Sequence, residues 1–364
     1  MSQSEGAVLA VSQRLDMFLS AQRDAAAEFG AEAELFTQSG IEAVGGGKRL
    51  RARFCVAGWR AVEEAVGSAG EPPAAVVAAS AALEIFHAAA LVHDDVIDNS
   101  DTRRGRPAAH RGMEAAHVES RWTGDASAFG RSGAILLGDL LVAWSDDLLE
   151  DGLDAASPAR ARAARLQYAT MRREVTIGQF LDIAEESAFS TQPDDTHAER
   201  ALRVASLKSA RYSIQQPLLI GAALAGADDA QLNALTEFGH HVGMAFQLRD
   251  DVLGVFGDEA VTGKPSGDDL REGKRTVLVA FTRERLDRGA RRTVDELIGD
   301  PELEPSQIAS LQRAIIDTGA LERVEELIQD YSRRAERSLS GARLGNAAVG
   351  ELRDLARAAT VRAT

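Results

Sequence analysis

The sequence has little cysteine, proline or aromatic residue, and it has fewer basic than acidic residues. Its 364 residues include one cysteine and nine prolines, and 5% are aromatic. The lone Cys55 excludes an intrachain disulfide and a cysteine-rich zinc cluster, so we expect a cytoplasmic protein in a reducing compartment. The 41 Lys and Arg against 56 Asp and Glu give a formal net charge of −15. Without an excess of basic residues, nucleic-acid binding is not expected.

Targeting and membrane segments are also missing from the sequence pattern. The first 14 residues contain no basic region followed by an apolar core, so no secretory signal is predicted. The longest weakly charged stretch, residues 72–93, contains Glu84 and His87 and is mostly alanine. That composition favours a buried helix over a membrane span. We therefore expect no membrane-spanning segment.

Helical periodicity dominates what is present. Alanine recurs at helical spacing over residues 78–92 and 308–339, and βαβ patterns and repeats of fixed period are lacking. These features predict an all-α protein built as a large helical bundle. No segment has the composition of a flexible linker, so we expect a single domain over residues 1–364. It comprises an N-terminal helical region (1–40), the motifs (45–275) and C-terminal helices (276–364).

The first acidic motif, HDDVID, contains Asp94, Asp95 and Asp98 and ends the alanine-rich helix. Asp94 and Asp98 lie one helical turn apart, where two carboxylates repel each other unless a cation binds them. Carboxylates supplemented by substrate phosphates are the usual ligands of Mg²⁺. A solvated acidic helix end is the alternative interpretation of this motif alone.

Basic residues flank this motif. His87 lies seven residues before Asp94 and so shares its helical stripe. Arg103 and Arg104 follow the helix and provide two guanidinium groups suited to phosphate. An acidic pair followed by an arginine pair predicts a magnesium diphosphate site, whereas a surface ion-pair loop is the alternative.

A second acidic motif occurs in the sequence FQLRDDVLG. Gln247, Asp250, Asp251 and Gly254 share one helical face at spacings of three, four and seven. The loop over residues 263–275, GKPSGDDLREGKR, can bring ammonium groups and backbone N–H donors onto phosphate. Two such acidic helices in one chain suggest two helices that each carry carboxylates for metal binding.

A third element, GGGKRLR at residues 45–51, places Lys48 and Arg51 beside glycines that permit close backbone approach. It does not fit a Walker A motif, and alone it would be interpreted as a glycine hairpin. Two diphosphate esters would bring roughly six negative charges together, which carboxylate-bound Mg²⁺ and several basic side chains can hold but carboxylates alone cannot. The three elements together therefore indicate a joint site.

The order of these motifs resembles the trans-isoprenyl diphosphate synthase (polyprenyl synthase) family, most closely a bacterial geranylgeranyl diphosphate synthase. The resemblance runs from Gly45 onward through GGKRLR, LEIFH, HDDVID, DTRRG, LLGDLL, GQFLD, the pair Lys208-Ser209, FQLRDDVLG and GKPSGDDLREGKRT. It implies the all-α isoprenoid synthase fold with a central cavity, and a homodimer. It also implies ionisation of an allylic diphosphate, attack by the double bond of isopentenyl diphosphate and loss of a proton, with the departing diphosphate as the proton acceptor.

The resemblance also assigns roles to individual residues. Three Mg²⁺ ions would be held by Asp94, Asp98, Asp250 and Asp182, with Asp95 and Asp251 as further ligands or close neighbours. The leaving diphosphate would be clamped by Arg103, Lys208, Lys264 and Lys274, with Ser209 and Gln247 beside the reacting carbon. Isopentenyl diphosphate would be bound by Lys48, Arg51, His87 and Arg104.

The sequence departs from the family pattern at Gly254. Many relatives have a third Asp at this position, in a DDxxD motif, whereas this chain has DDVLG. Asp258 lies too far along the chain, beyond two glycines, to be taken as a substitute. The departure affects the expected affinity for the third metal more than the expected reaction.

The resemblance implies that product length depends on residues just before the first acidic motif. The resemblance places the pocket floor there, and both Ala89 and Ala90 are small, which argues against a strict farnesyl synthase. Ala90 lies within about 40° of the direction of Asp94, and Phe86 lies eight residues, or about 12 Å along the helix, before Asp94. We expect Phe86 to form a deeper floor and the product to be the C20 geranylgeranyl diphosphate. An ordinary packed helix face is the alternative interpretation of Phe86.

Other functions remain open from the sequence. A longer-chain polyprenyl or a farnesyl diphosphate synthase is the nearest alternative. A class I terpene cyclase has no use for a second diphosphate pocket, and a noncatalytic partner subunit should have lost a motif, which only Gly254 suggests. A metal-dependent diphosphate hydrolase would form no elongated product.

Overall fold

The computed structural model describes residues 3–68, 70–258 and 265–360. The fold is all-α, as the sequence predicts. In chain order the α-helices are α1 Gln3–Ala26, α2 Ala31–Val44, α3 Leu50–Glu63, α4 Ala74–Ile97, α5 Ala109–Glu119, α6 Ala126–Leu153, α7 Pro158–Ala188, α8 His197–Val204, α9 Gln216–Ala225, α10 Asp229–Phe256, α11 Asp268–Glu272, α12 Val277–Arg285, α13 Arg288–Leu297, α14 Pro305–Asp317, α15 Ala320–Ser338 and α16 Asn346–Thr360.

Other elements are short, with one exception. A π-helix, Ala205–Gln215, lies between α8 and α9. The β-structure of the described residues is an antiparallel pair, β1 (Thr102–Arg103) and β2 (Arg106–Pro107). Single 3₁₀ turns occur at Ala27–Phe29, Glu64–Val66, Phe189–Thr191 and Asp194–Thr196.

The chain divides into two compact units. The first comprises Met1–Glu63, Gly67–Ala164 and Ile220–Gly226, and the second comprises Glu64–Val66, Arg165–Leu219 and Ala227–Thr364. The single domain expected over residues 1–364 stays a prediction. The candidate residues from 48 to 104 belong to the first unit, and those from 182 onward belong to the second.

In the first unit, α4 is the central core helix. It packs against α1, α3 and α6, and its alanine-rich faces are almost entirely buried. The side chain of Asp125 caps the partner helix α6 by accepting the Ala128 N–H at 3.0 Å. Cys55, in α3, is fully buried, and burial raises the pKa of its thiol to about 12. Its thiol is therefore protonated at neutral pH.

In the second unit, α10 is the central helix. It packs against the π-helix, α11, α15 and α16, and Asp228 with Gln231 forms a capping box at its start. The apolar residues Leu248, Val252 and Val255 of α10 join a core that includes Leu270 of α11. This packing fixes the acidic end of α10 against α11.

Two helices, α4 and α6, are long and apolar enough to cross a membrane by length and composition alone. In the 18-residue apolar stretch of α4, 78% of the residues are buried, as in the core of a folded protein. This agrees with the buried helix expected there. In the corresponding apolar stretch of α6, only 28% of the residues are buried. Phe129, Ile135 and Leu136 on α6 are exposed, which leaves this helix with an uncovered apolar face.

Candidate active site

The three aspartates at the end of α4 differ in their exposure to solvent. The Asp98 N–H donates to the Asp94 carbonyl at 2.8 Å, so helical geometry continues to Asp98 and the two residues lie one turn apart. Both are partly exposed, whereas Asp95 is only 2% exposed. Asp94 and Asp98 are therefore the residues that can offer oxygen atoms to a metal from solution.

Asp95 instead binds Arg103. The Nε of Arg103 donates to Asp95 Oδ1 at 2.8 Å, a second guanidinium nitrogen also contacts that oxygen, and the same nitrogen lies 3.7 Å from Asp94 Oδ2. Burial raises the pKa of Asp95, and the hydrogen bond from Arg103 opposes this rise. The short hairpin β1–β2 thus returns Arg103 to α4, where Asp95 holds its guanidinium beside Asp94.

His87 lies in a basic environment on the same helix. Burial lowers the pKa of His87 well below its ordinary value, and the positive charges of Arg51, Arg104, Arg103 and Arg49 lower it further. The imidazole is therefore neutral and is surrounded by guanidinium groups. Such an arrangement is suited to a multiply charged anion, because the negative charges of the anion would balance the positive charges of the guanidinium groups.

A buried carboxylate organises the loop that carries these arginines. Glu84 is 5% exposed, accepts the Ala52 N–H at 3.0 Å and lies 3.7 Å from Arg49 Nη1. Because α3 begins at Leu50, the Ala52 N–H is one of the helix donors without an intrahelical partner. Sequence reasoning did not assign Glu84 a role, although its position three residues before His87 on α4 was a signal.

Arg104 and Lys48 differ in how they are held. Arg104 Nη1 donates to the Gly45 carbonyl at 3.1 Å, and burial lowers the pKa of Arg104 while the charge of Glu84 raises it. Lys48 is exposed on the loop before α3. The structure thus brings Arg51, His87 and Arg104 together and places Lys48 in solvent.

On α10 the second motif also contains one exposed and one buried aspartate. Asp250 is exposed, whereas Asp251 is 7% exposed and accepts a 2.7 Å hydrogen bond from Gln247 Nε2. Burial raises the pKa of Asp251 well above its ordinary value, and the charges of Asp269, Asp250 and Asp182 raise it further. Asp250 is therefore the available ligand, and Gln247 fixes Asp251.

Lys208 and Ser209 lie in the π-helix, a geometry that is frequent at functional sites. Lys208 Nζ lies 2.5 Å from Asp182 Oδ2 of α7. A Cβ atom on Gly178 would lie 2.4 Å from the backbone nitrogen of Lys208, so only glycine permits this approach of α7 to the π-helix. The sequence motif GQFLD thus brings Asp182 to Lys208.

The two remaining lysines are placed differently. Lys274 follows α11, lies 3.5 Å from Asp269 Oδ1 and contacts the Glu272 carboxylate. Lys264 lies outside the described residues, so its expected role stays a prediction.

The residues expected to control product length lie on α4. Phe86 is 6% exposed, Ala89 is fully buried and Ala90 is partly exposed, as Asp94 is. Ala90, which points close to the direction of Asp94, is therefore partly exposed as Asp94 is, whereas Ala89 points to another side of the helix and is buried. Their effect on the product stays a prediction.

The donor chemistry at both acidic motifs fits magnesium. Each motif offers carboxylate oxygens, which a hard cation prefers. Among the described residues, no group of three or more His, Cys, Asp or Glu side chains is arranged to hold a metal by itself. Mg²⁺ is usually held by one or two carboxylates with substrate phosphates completing the shell, and this donor set matches that pattern.

Comparison with known proteins identifies the family. The polyprenyl synthetase family model matches residues 33–315. The chain belongs to the polyprenyl synthetase family. It is therefore an enzyme, a trans-polyprenyl diphosphate synthase of the prenyltransferase class, as its motifs predict.

Individual relatives of this synthase agree. The crystal structure of a geranylgeranyl pyrophosphate synthase from Corynebacterium glutamicum, complexed with isoprenyl diphosphate and magnesium, is 38% identical with a TM-score of 0.91 and 100% coverage of both chains. The geranylgeranyl diphosphate synthase of Methanosarcina mazei is 31% identical over 84% of this chain and 83% of its own. The geranylfarnesyl diphosphate synthase of Aeropyrum pernix is 31% identical over 81% and 83%.

Proposed function

We propose that this synthase condenses isopentenyl diphosphate with an allylic diphosphate, either dimethylallyl, geranyl or farnesyl, and releases geranylgeranyl diphosphate (C20). The observation that carries the proposal is the group of arginines whose positive charges act on His87, on the same helix as the partly exposed Asp94 and Asp98. Basic groups there suit one diphosphate, and a carboxylate pair suits a metal that binds another.

Each diphosphate has its own set of residues in this proposal. Isopentenyl diphosphate is bound by Lys48, Arg51, His87 and Arg104. The allylic diphosphate is bound by Arg103, Lys208, Lys264 and Lys274. Three Mg²⁺ ions are held by Asp94, Asp98, Asp250 and Asp182. Because Asp95 and Asp182 already orient Arg103 and Lys208, these cations are positioned before the substrate arrives.

The reaction needs no side-chain nucleophile. Magnesium, when bound, withdraws electron density from the leaving diphosphate. The allylic C–O bond breaks, and its electron pair stays on the diphosphate oxygen. Arg103 and Lys208 stabilise the negative charge that grows on the diphosphate in this step. The double bond of isopentenyl diphosphate then forms the new C–C bond, and the departing diphosphate accepts the proton that is lost. Ser209 and Gln247 lie beside the reacting carbon in this assignment.

Product length follows from the small residues above Phe86. Ala90 is partly exposed and small, so a growing chain would pass it and stop at Phe86. The two relatives named geranylgeranyl synthases support C20, whereas the geranylfarnesyl synthase makes a longer product the nearest alternative.

We propose in addition that the enzyme is a cytoplasmic homodimer. The exposed apolar residues Phe129, Ile135 and Leu136 of α6 are 37%, 49% and 61% exposed, and a second copy of the chain would cover them. The support for the cytoplasm is the single buried cysteine. Light scattering after size exclusion should give twice the mass of 38.8 kDa, and a monomer would contradict the proposal.

Incubation of the purified protein with Mg²⁺, labelled isopentenyl diphosphate and each allylic primer in turn tests the function. Chromatography of the dephosphorylated products should show geranylgeraniol. Longer alcohols would overturn the C20 assignment while leaving the reaction intact. No elongation by folded protein with any primer would overturn the synthase and favour the partner subunit. A cyclised hydrocarbon would indicate a terpene cyclase, and released diphosphate without elongation a hydrolase.

A further inference from the structure

Arg275 carries a buried positive charge that the proposed reaction does not use. It follows Lys274 in the short connection between α11 and α12. Its side chain is 10% exposed, and burial lowers the pKa of its guanidinium to about 10, while the Asp295 carboxylate raises it. The group therefore stays protonated at neutral pH. A buried charge of this kind needs partners, and the contacts of Arg275 supply them.

The guanidinium of Arg275 joins two distant parts of the chain. Its central carbon lies 3.6 Å from the centroid of the Phe189 ring, in the 3₁₀ turn that follows α7. Its Nη1 lies 3.4 Å from Asp295 Oδ1 of α13, and its Nη2 lies 3.4 Å from the Ile298 carbonyl oxygen at the end of that helix. A planar guanidinium can stack on a ring and pair with a carboxylate at the same time, which an ammonium group cannot do.

A second buried arginine fixes both partners of Arg275. Arg283 of α12 is 7% exposed, and it donates from Nε to Asp295 Oδ1 at 2.8 Å and from Nη2 to Asp295 Oδ2 at 3.0 Å. Its guanidinium carbon also lies 5.4 Å from the centroid of the Phe189 ring. Because a bidentate pair of this kind is geometrically specific, Asp295 and Phe189 offer Arg275 a fixed place.

The backbone around Arg275 is held at both ends. The Lys274 N–H donates to the Asp269 carbonyl of α11 at 3.0 Å. The Thr276 side chain caps α12 by accepting the Val279 N–H at 3.5 Å. Arg275 is the one residue between these two fixed points, so a change in its position is transmitted directly to Lys274.

Lys274 and Arg275 direct their side chains to different parts of the chain. Lys274 Nζ lies 3.5 Å from Asp269 Oδ1 and contacts the Glu272 carboxylate, both on α11. Arg275 instead contacts α13 and the turn after α7. Successive side chains of an extended chain point to opposite sides, so a backbone rotation that releases Arg275 would also redirect Lys274.

We propose that Arg275 is a positioning residue: its stack on Phe189 and its ion pair with Asp295 hold the loop in the conformation from which Lys274 binds the leaving diphosphate. The inference rests on the proposed function, since it assumes that Lys274 binds diphosphate. It predicts that loss of the Arg275 contacts weakens diphosphate binding only while Lys274 is present.

Calorimetric titration with inorganic pyrophosphate in the presence of Mg²⁺ tests the proposal without turnover. The variants are Arg275→Lys, which keeps the charge but loses the planar group, Lys274→Ala and the double variant Lys274→Ala/Arg275→Lys. Arg275→Lys should weaken pyrophosphate binding by about 10-fold, as when a hydrogen bond to a charged group is lost. In the Lys274→Ala background the same substitution should change the affinity by less than about twofold, because residues that act through one contact are not additive. In turnover, Arg275→Lys should raise the KM for the allylic diphosphate and leave that for isopentenyl diphosphate unchanged.

Further substitutions separate the ring contact from a general loss of packing. Phe189→Leu removes the aromatic face and should weaken pyrophosphate binding as Arg275→Lys does, whereas Phe189→Tyr keeps the face and should retain most of the affinity. The control is Arg323→Lys on α15. The guanidinium carbon of Arg323 lies 3.5 Å from the centroid of the Phe281 ring, and Arg323 pairs with Glu284, so this variant loses a similar stack and ion pair. It should bind pyrophosphate as the wild type does.

Several outcomes would overturn the inference. Wild-type affinity in folded Arg275→Lys or Phe189→Leu would do so, as would an equal loss from Arg275→Lys with and without Lys274. An equal loss in Arg323→Lys would assign the effect to packing. If thermal unfolding shows that Arg275→Lys does not fold, Phe189→Leu and Phe189→Tyr give the same comparison, each with and without Lys274.

Failure of the inference can be told from failure of the proposed function. Wild-type affinity in Lys274→Ala would overturn the role proposed for Lys274 together with the inference. Loss of affinity in Lys274→Ala but not in Arg275→Lys would overturn the inference alone. Failure of the wild type to bind pyrophosphate with Mg²⁺ would refute the proposed function itself.

Discussion

At the scale of the residue, neighbouring acidic side chains in one motif have different environments. Asp94 is partly exposed, whereas Asp95 is buried and binds Arg103. The second motif repeats this division, with Asp250 exposed and Asp251 buried against Gln247. In both motifs one carboxylate is available to a metal and its neighbour fixes a polar partner.

The more exposed aspartates, Asp94 and Asp250, should therefore be essential for turnover and dispensable for folding. We expect Asp94→Ala and Asp250→Ala each to lower kcat by about 100-fold or more, the loss typical of removing one group that stabilises transition-state charge. The measurement is the rate of product formation at saturating substrates, with thermal unfolding as the control. Normal activity in Asp94→Ala would refute its assignment as a metal ligand.

Glu84 should affect the isopentenyl diphosphate subsite through the loop that it holds. Glu84→Ala leaves the Ala52 N–H without its acceptor, so we expect a loss of about 1–3 kcal/mol in unfolding free energy. The KM for isopentenyl diphosphate should rise while that for the allylic substrate stays unchanged. Glu84→Gln, which keeps an acceptor oxygen, should restore most of the stability. An equal rise in both KM values would contradict this role.

At the scale of the element, the contact between α7 and the π-helix positions Lys208. The side chain of Lys208, which is proposed to bind the leaving diphosphate, is presented by irregular helical backbone, and that backbone meets α7 at a glycine. The contact is between main-chain atoms, which cannot move aside as the end of a flexible side chain can.

Gly178→Ala should therefore displace Lys208. We expect kcat to fall by more than about 10-fold, since displacement of a catalytic group by 1 Å can cost 100-fold. The matched control is Gly350→Ala on α16, where an added Cβ meets nothing within 4 Å and alanine is the better helix former. Equal kcat values in the two variants would show that the close approach does not matter for Lys208.

Helix α4 should determine product length through Phe86. Phe86→Ala removes the proposed floor, so we expect alcohols longer than C20 in the product chromatogram. Because Phe86 is buried, the substitution should also lower stability by about 3–5 kcal/mol. Phe86→Leu fills more of the space and serves as the control for stability. An unchanged product in folded Phe86→Ala would place the floor elsewhere.

At the scale of the whole molecule, a strongly acidic protein is proposed to bind highly charged anions. The net charge of −15 repels a diphosphate, whereas the local clusters of Arg, Lys and metal ligands attract it. Binding should therefore depend on the metal more than on the overall charge.

Inorganic pyrophosphate with Mg²⁺ should raise the Tm of the protein, because a ligand at 100 times its Kd stabilises the folded state by about 2.7 kcal/mol. Chelation of the metal by EDTA should remove most of this shift. The combined variant Asp94→Ala/Asp250→Ala is the control and should show a smaller shift than the wild type. An equal shift with and without Mg²⁺ would contradict metal-dependent binding.

The helical class, the motifs and the family could be predicted from the sequence, because helical spacing and short motifs are local properties of the chain. The one-turn separation of Asp94 and Asp98 is an example, since backbone geometry alone produces it. Motif order was sufficient for the reaction class because each motif carries its own charged groups.

Which polar groups meet across the chain depends on how the helices pack. Glu84 reaches the start of α3 because α3 packs against α4, and Asp269 lies against Gly254 because Leu270 is buried beneath α10. Sequence spacing could not reveal either contact, since the partners are separated by loops whose path is set by the burial of distant apolar side chains.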